Sequence, residues 1–311
     1  MTDMNLCKLI EDFGGDEKCR AALLAIRWPD GVVCPRCQSK KISKIARRGQ
    51  FDCDSCRYQF SVTSGTIFHD SHLPLYKWFL ATYIVAESKK GISANQLARM
   101  LNVSYKTAWY LCHRIRKTMQ NESAELLRGV VEADETWIGG KAKFMHEADK
   151  KRRGIGGRGN ADHMTMVLGA IQRGGNVRLK VENRHKADSV TLKAFLKAVV
   201  ADEAEAIMTD DWQGYNGIED EDTRHETVAH RSDEWVRGQV HTNTVEGVWS
   251  LFKRSIVGSY HQLSAKHLQA YLDEMAYRFN NRDNPYLFHE TLAKLITSEN
   301  LPYQALTASH E

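Results

Sequence analysis

Three acidic positions and four cysteines stand where residue type and spacing could support chemistry: Asp134-Glu135, Asp210-Asp211 and Glu246, and Cys34, Cys37, Cys53 and Cys56. The cysteines form two Cys-x2-Cys pairs with fifteen residues between them. Each pair can set two thiolates on one turn, and a hairpin between the pairs brings the turns together, so the spacing predicts a tetrahedral Zn²⁺ site. A redox pair or two disulfides would use the same residues, but an intracellular chain disfavours both. Cys7, Cys19 and Cys112 have no ligand spacing and read as ordinary thiols. The acidic positions fall at the ends of elements. Three carboxylates so placed suggest oxygen ligands for a hard cation such as Mg²⁺, which is held by few carboxylates together with substrate phosphates. They converge only if the segments that carry them are neighbours.

Those segments can be read from periodicity. His241-Thr-Asn-Thr-Val-Glu-Gly-Val-Trp-Ser-Leu-Phe-Lys253 opens an amphipathic helix, with Val245, Val248, Trp249 and Phe252 as an apolar stripe. Lys253 follows Glu246 by almost two turns and lies near the same face. Taken alone, this is a helix with a solvated charge pair. Upstream, Leu126–Ala133 reads as a short strand that delivers Asp134, and Gly139-Gly140 breaks the chain after it. Met164–Gln172 and Val177–Glu182 read as a hairpin about Arg173-Gly-Gly-Asn176. Ala187–Val200 reads as a helix, Ala206–Thr209 as a strand ending in Asp210-Asp211, and His225–His230 as a further strand. The order predicts a mixed α/β sheet in which the first strand and the Thr209 strand lie side by side. Residues 141–160 hold seven Lys/Arg against two acids, which suits a phosphate-contacting loop or a solvated insertion about equally.

The N-terminal part reads as helical around the cysteines. Leu75–Ser88 is a helix closed by Lys89-Lys90-Gly91. Ser93-Ala-Asn-Gln96 is a capping box for a helix through Leu101; Asn102-Val103 is a turn, and Ser104 caps Tyr105–Met119. Packing of Leu97, Ala98 and Leu101 on Val103, Ala108, Leu111 and Ile115 would leave Tyr105, Lys106, Tyr110, His113 and Arg114 outward. That is the pattern of a helix-turn-helix whose second helix enters the DNA major groove. A helical connector with a solvated charged face is the plainer reading.

Composition supports the division. Of 311 residues, 42% are hydrophobic and 26% charged, which excludes wholesale disorder. The longest apolar run, near Phe79–Ala86, is far short of a membrane span, and the first residues do not form a secretory signal. Net charge is +4, but residues 1–120 hold nineteen Lys/Arg against ten Asp/Glu, leaving 24 against 29 for the remainder. The basic part suits a polyanion, whereas the acidic part needs basic loops or metal ions to approach DNA.

Taken in order, Cys-x2-Cys…Cys-x2-Cys, Gly65-Thr-Ile-Phe-His69, the two-helix segment, Asp134-Glu-Thr, Thr209-Asp210 and the Glu246 helix resemble the zinc-ribbon DDE transposases of bacterial insertion sequences. Tyr260-His-Gln-Leu-Ser-Ala-Lys-His267 and Tyr277-Arg-Phe-Asn-Asn-Arg282 extend the resemblance over Cys34–Arg282. It implies an α+β multidomain chain: a helical lead-in (1–30), a zinc ribbon (31–66), a helix-turn-helix domain (67–122), a ribonuclease-H-like mixed α/β catalytic domain (126–285) and a C-terminal tail (286–311). It implies Mg²⁺- or Mn²⁺-dependent cutting and joining of DNA by Asp134, Asp210 and Glu246, with Lys253 beside them. Asp211 is an alternative to Asp210, and Asn243 a lesser alternative to Glu246. The partners implied are double-stranded DNA, as terminal inverted repeats and target, and a second copy of the chain, in the cytoplasm with the nucleoid. Two further readings compete: a DNA-binding regulator with remnant carboxylates, and a structure-specific nuclease.

Overall fold

A computed structural model gives the architecture, and residues 4–120, 125–139, 146–152, 164–182, 188–219, 223–228 and 236–308 are described. The chain divides into two compact units, Met1–Gln120 with Asn281–Glu311, and Asn121–Asn280.

The first unit begins with α1 (Leu6–Phe13) and α2 (Asp16–Arg27), followed by an antiparallel ribbon of β1 (Ile42–Ile45), β2 (Gln50–Cys53) and β3 (Gln59–Phe60). Phe51 and Phe60 pack with Trp28, Leu24 and Tyr58 beside the cysteines, a core too small to stand without a crosslink or metal. Three helices follow: α3 (Leu75–Glu87), α4 (Ala94–Leu101) and α5 (Tyr105–Thr118). Ser93 and Ser104 cap α4 and α5, each hydroxyl accepting from a backbone N–H three residues on at 3.1 Å. Asn102 takes a left-handed conformation at φ 47° between them, which its short polar side chain tolerates. The two-helix geometry read from the sequence is therefore present.

The second unit is a five-stranded sheet. Its strands are β4 (Val130–Ile138), β5 (Thr165–Gln172), β6 (Val177–Glu182), β7 (Ala206–Asp210) and β8 (Arg224–Val228), with a short helix α6 (Glu147–Arg152) between β4 and β5. Spatially the order is β6-β5-β4-β7-β8. β4, β5 and β6 pair antiparallel, while β4, β7 and β8 pair parallel. This central first strand, flanked by a hairpin on one side and parallel strands on the other, is a ribonuclease-H-like arrangement. β4 runs past Asp134 to Ile138, where a strand ending at Ala133 was expected, because Asp134–Ile138 pair with Thr165–Gly169. The basic loop expected at 141–160 lies largely outside the described residues, as do Ala229 and His230 at the end of the expected last strand.

Helices cover both faces. Residues of β4 alternate across the sheet. Val131, Ala133 and Trp137 join α7 (Ser189–Val199) through Leu192, Phe195 and Leu196. The other face packs on α8 (Asn243–Ser255) and α9 (Leu268–Asn280) through Val245, Val248, Trp249, Phe252, Leu272 and Met275. Burying each large side chain contributes about 1.5–3 kcal/mol before ordering entropy is subtracted.

Residues 286–311, expected as a tail, return to the first unit as α10 (Leu287–Thr297) and α11 (Tyr303–Thr307). Leu287, Phe288, Thr291, Leu292, Leu295 and Ile296 are buried along α10, and the Phe288 ring meets Phe13, Phe79 and Tyr83. The stripe has helical spacing and needs a core to cover it. Among the described residues no helix is long and apolar enough to cross a membrane.

Candidate active site

Alternation along β4 decides which acids can act together. Glu132 and Asp134 point to the α8 face, and Glu135 points to the α7 face with Ala133 and Trp137. Parallel pairing sets Glu132 opposite Met208, so two residues further along each strand Asp134 and Asp210 lie level on neighbouring strands. Burial, then the charges of Glu135 and Asp210, push the Asp134 carboxyl from its ordinary 3.8 up to about 7. Two opposing contacts favour its charged form: a backbone hydrogen bond and the Trp249 indole, whose Nε1 donates to Oδ2 at 2.9 Å. Trp249 reaches the acid because Gly169, the β5 partner of Asp134, has no side chain. A Cβ there would stand 2.5 Å from the indole ring.

Glu135 is held differently. Tyr215 donates its hydroxyl to Glu135 Oε2 at 2.7 Å, while burial and Asp210 push the Glu135 carboxyl up. Burial and Glu135 in turn hold the Tyr215 hydroxyl well above its usual range. Asp210 caps the turn after β7, its Oδ1 accepting from Trp212 N at 3.2 Å, whereas Asp211 is exposed.

Glu246 lies in the first turn of α8, exposed, with Thr242 Oγ1 donating to its Oε1 at 3.3 Å. Asn243 and Lys253 are exposed on the same helix. Among the described residues, the four cysteines are the one set of three or more His, Cys, Asp or Glu donors lying within 4.8 Å of one another. Strand register brings Asp134 and Asp210 side by side, as their mutual charge repulsion reflects, and Glu246 is exposed at the start of α8 beside Thr242.

The start of α8 is fixed by a residue the sequence reading passed over. Glu132 is wholly buried and accepts from Thr244 N (2.7 Å), Val245 N (3.0 Å) and Thr244 Oγ1 (2.8 Å). Arg173, from the β5–β6 turn, donates through Nε to the same carboxylate at 2.7 Å and through Nη1 and Nη2 to the carbonyls of Gln239 and His241. A carboxylate at otherwise unpaired N-terminal amides also meets the positive end of the helix dipole. Its signal in the sequence was a Glu two residues before Asp134, hence on the same face.

The cysteines meet the expectation for a metal site. Cys34 Sγ lies 3.7 Å from Cys56 Sγ, and Cys37 Sγ 3.5 Å from Cys53 Sγ. A tetrahedron with Zn–S bonds of about 2.3 Å has edges of about 3.8 Å, close to both. All four thiols are free of disulfides, and they fit Zn²⁺ by number, softness and spacing.

On α5 the outward face expected of Tyr105, Lys106, Tyr110, His113 and Arg114 is corrected. Tyr105 and Lys106 are exposed, but His113 and Arg114 are buried at 2% and 3%. Arg114 Nη2 donates to His69 O at 2.7 Å and to Asn300 Oδ1 at 3.0 Å, and Tyr110 donates its hydroxyl to Leu301 O. The returning C-terminal segment covers this part of the helix, while Tyr105 and Lys106 in its first turn stay exposed.

Against known proteins, residues 126–280 match the ISXO2-like transposase domain and residues 14–59 match a transposase zinc-ribbon domain, together more than half of the chain. The chain carries the zinc-ribbon and ISXO2-like domains of an insertion-sequence transposase. The zinc-ribbon match takes in α2, whose Leu24 packs on the ribbon core together with Trp28 just beyond the helix. An uncharacterized protein in transposable element ISH50 of Halobacterium salinarum is 29% identical over 256 residues, 79% of this transposase-family chain and 84% of that protein. Among solved structures, a pre-cleavage Mos1 transpososome aligns at 12% identity over 68% of this chain and 77% of that one, with a TM-score of 0.27. A Mos1 strand transfer complex aligns at 13% over 70% and 74%, with a TM-score of 0.29. The ribonuclease-H-like assignment rests on strand order and register.

Proposed function

We propose that this protein is a metal-dependent DNA transposase that cuts at the terminal inverted repeats of its insertion sequence and joins the freed ends to target DNA. The observation that carries the reading is the pair Asp134 and Asp210, level on adjacent parallel strands beneath the helix that bears Glu246. Acids crowded at a half-buried sheet end disfavour their own ionisation, and a hard cation relieves this. The donor set, carboxylate oxygens open towards α8, fits Mg²⁺ or Mn²⁺. Bound there, the metal would polarise the scissile phosphate and make a water easier to ionise.

The chain's own residues do the rest. Asp134, oriented by Trp249, and Asp210 form the sheet wall of the site. Glu246 completes the set from α8 by turning away from Thr242. Lys253, exposed further along the same helix, meets a DNA phosphate. The nucleophile is water in the cutting step, which breaks a phosphorus–oxygen bond and frees a 3′-hydroxyl; that hydroxyl is the nucleophile in joining. No side chain forms a covalent bond to DNA. Cys34, Cys37, Cys53 and Cys56 hold a structural Zn²⁺, and the open first turn of α5 contacts duplex DNA, consistent with base reading from the start of a recognition helix. Pairing two element ends calls for two or more copies of the chain, acting in the cytoplasm at the nucleoid.

The engagement of the exposed Glu246 carboxylate by Thr242 favours one alternative, a regulator that binds DNA without cutting it. Incubation of the protein with Mg²⁺ and labelled duplexes bearing the repeats that flank its reading frame separates the two. Cleavage and strand transfer are expected, lost in Asp134→Ala, Asp210→Ala and Glu246→Ala while DNA binding persists. Strand transfer undiminished in all three variants would overturn the assignment, and binding without any cutting would leave the regulator.

A further inference from the structure

The C-terminal segment that covers α5 does so residue by residue. Glu299 bridges Thr66 through the backbone, the Asn300 side chain accepts from Arg114, and the Leu301 carbonyl accepts from Tyr110. The Tyr303 ring then stands edge-on to Tyr110 at 5.4 Å and to Trp109 at 6.5 Å. Its face meets the ammonium of Lys106, 4.5 Å from the ring centroid. Lys106, Trp109 and Tyr110 follow one another at i, i+3 and i+4, so a single ring from the far end of the chain caps one face of α5 at its first turn.

A lysine at this position is exposed and has four rotatable side-chain bonds to immobilise when it meets a phosphate. The ring restricts it beforehand, and the N–H donors on the side of the ammonium away from the ring can still meet a phosphate. Tyr105 is exposed one residue earlier, at 54%. The open patch is therefore cationic and aromatic, and it is built from two distant stretches of sequence.

We propose that Tyr303 is a positioning residue for DNA binding, holding Lys106 ready for a backbone phosphate and making the 299–303 strap part of the DNA-reading surface. The proposal rests on the reading of α4 and α5 as a DNA-binding pair. Preorganising one lysine in this way is expected to change affinity about fivefold.

The test is fluorescence anisotropy of the full-length protein with a duplex bearing the terminal repeat and a scrambled duplex of equal length, over a range of salt. Lys106→Ala and Tyr303→Leu should each weaken binding to the repeat about fivefold, and the double variant should be no weaker than Lys106→Ala alone. Tyr303→Phe, which keeps the ring, should stay within twofold of wild type. The slope of log affinity against log salt should fall by about one in Lys106→Ala. Thermal melts of each variant separate loss of contact from loss of fold. Lys106 is exposed, so its substitution remains informative if Tyr303→Leu unfolds. In that event, an unchanged affinity and salt slope for Lys106→Ala would overturn the proposal. Unchanged or tighter binding by folded Tyr303→Leu, or additive losses in the double variant, would overturn it as well. A wild-type chain that binds neither duplex would instead remove the DNA-binding reading beneath it.

Discussion

The indole of Trp249 donates to the carboxylate of Asp134 at 2.9 Å, and it reaches that acid over a glycine. Trp249 lies one helical turn after Glu246 on α8, so one helix both carries the third acid and orients the first.

Replacing Trp249 with Phe should separate packing from positioning. Most of the buried ring area is kept, so the melting temperature should fall by only a few degrees. The lost hydrogen bond to a charged group is worth about 1.5–3 kcal/mol, which corresponds to a fall of about 10- to 100-fold if the orientation of Asp134 matters in the reacting state. Single-turnover strand transfer measures it. A wild-type rate in the folded variant would show that Asp134 needs no such partner.

Stability without added Mg²⁺ should depend on pH through Asp134. Its folded pKa of about 7 lies above the ordinary 3.8, so the native chain keeps a proton that the unfolded chain releases across this window. Stability from this group is present at low pH and is lost as pH rises towards and through 7. The melting temperature of the zinc-loaded, magnesium-free protein should therefore fall between about pH 4 and 7 and level off above that, and Asp134→Asn should flatten the fall. An unchanged pH profile in that variant would place the dependence elsewhere.

How much of this was legible in the sequence depends on the range of the interactions. The β5–β6 hairpin followed from two alternating runs around Arg173-Gly-Gly-Asn176, and the Ser93 and Ser104 caps from residues three positions apart. Such signals are local. The burial of Arg114 is not, because its cover comes from Asn300, 186 residues away, and nothing in the period of α5 records it. Nor does local sequence distinguish Glu132, wholly buried under α8, from a solvated acid in a strand. The Gly169 slot required knowing that Gly169 pairs with Asp134, which is a matter of register. The acids themselves stood out because they end or interrupt apolar strands, but the contact of Glu246 with Thr242 is a matter of side-chain conformation, which no spacing encodes.

Removing zinc should unfold the ribbon while leaving the thiols reduced and unpaired. Phe51, Phe60 and Trp28 bury too little area to hold 31–66 alone, so metal affinity there is folding free energy. Titration with a strong chelator should release one Zn²⁺ per chain and expose Cys34, Cys37, Cys53 and Cys56 to a thiol reagent together. Cys53→Ser should reproduce the loss of local structure by hydrogen exchange in 31–66. Recovery of the four cysteines as disulfides from protein isolated under non-oxidising conditions would contradict the metal reading.

Glu132→Gln tests whether the start of α8 is set by charge. The amide keeps the shape but turns one acceptor into a donor facing either an α8 amide or Arg173, and it leaves the Arg173 guanidinium without its ion-pair partner. Breaking a buried pair from one side costs about 3–5 kcal/mol, so urea unfolding of the second unit should move by that order. Replacing Glu132 and Arg173 together with apolar residues should recover part of the loss, since no charge is then stranded. Hydrogen exchange should rise first at Thr244 and Val245, the amides that Glu132 accepts from. If α8 frays there, Glu246 in its first turn loses its fixed base, and strand transfer should fall further in Glu132→Gln than the loss of folded protein accounts for. A loss of stability under about 1 kcal/mol, with exchange at Thr244 unchanged, would mean that the apolar stripe of α8 holds the helix start without Glu132.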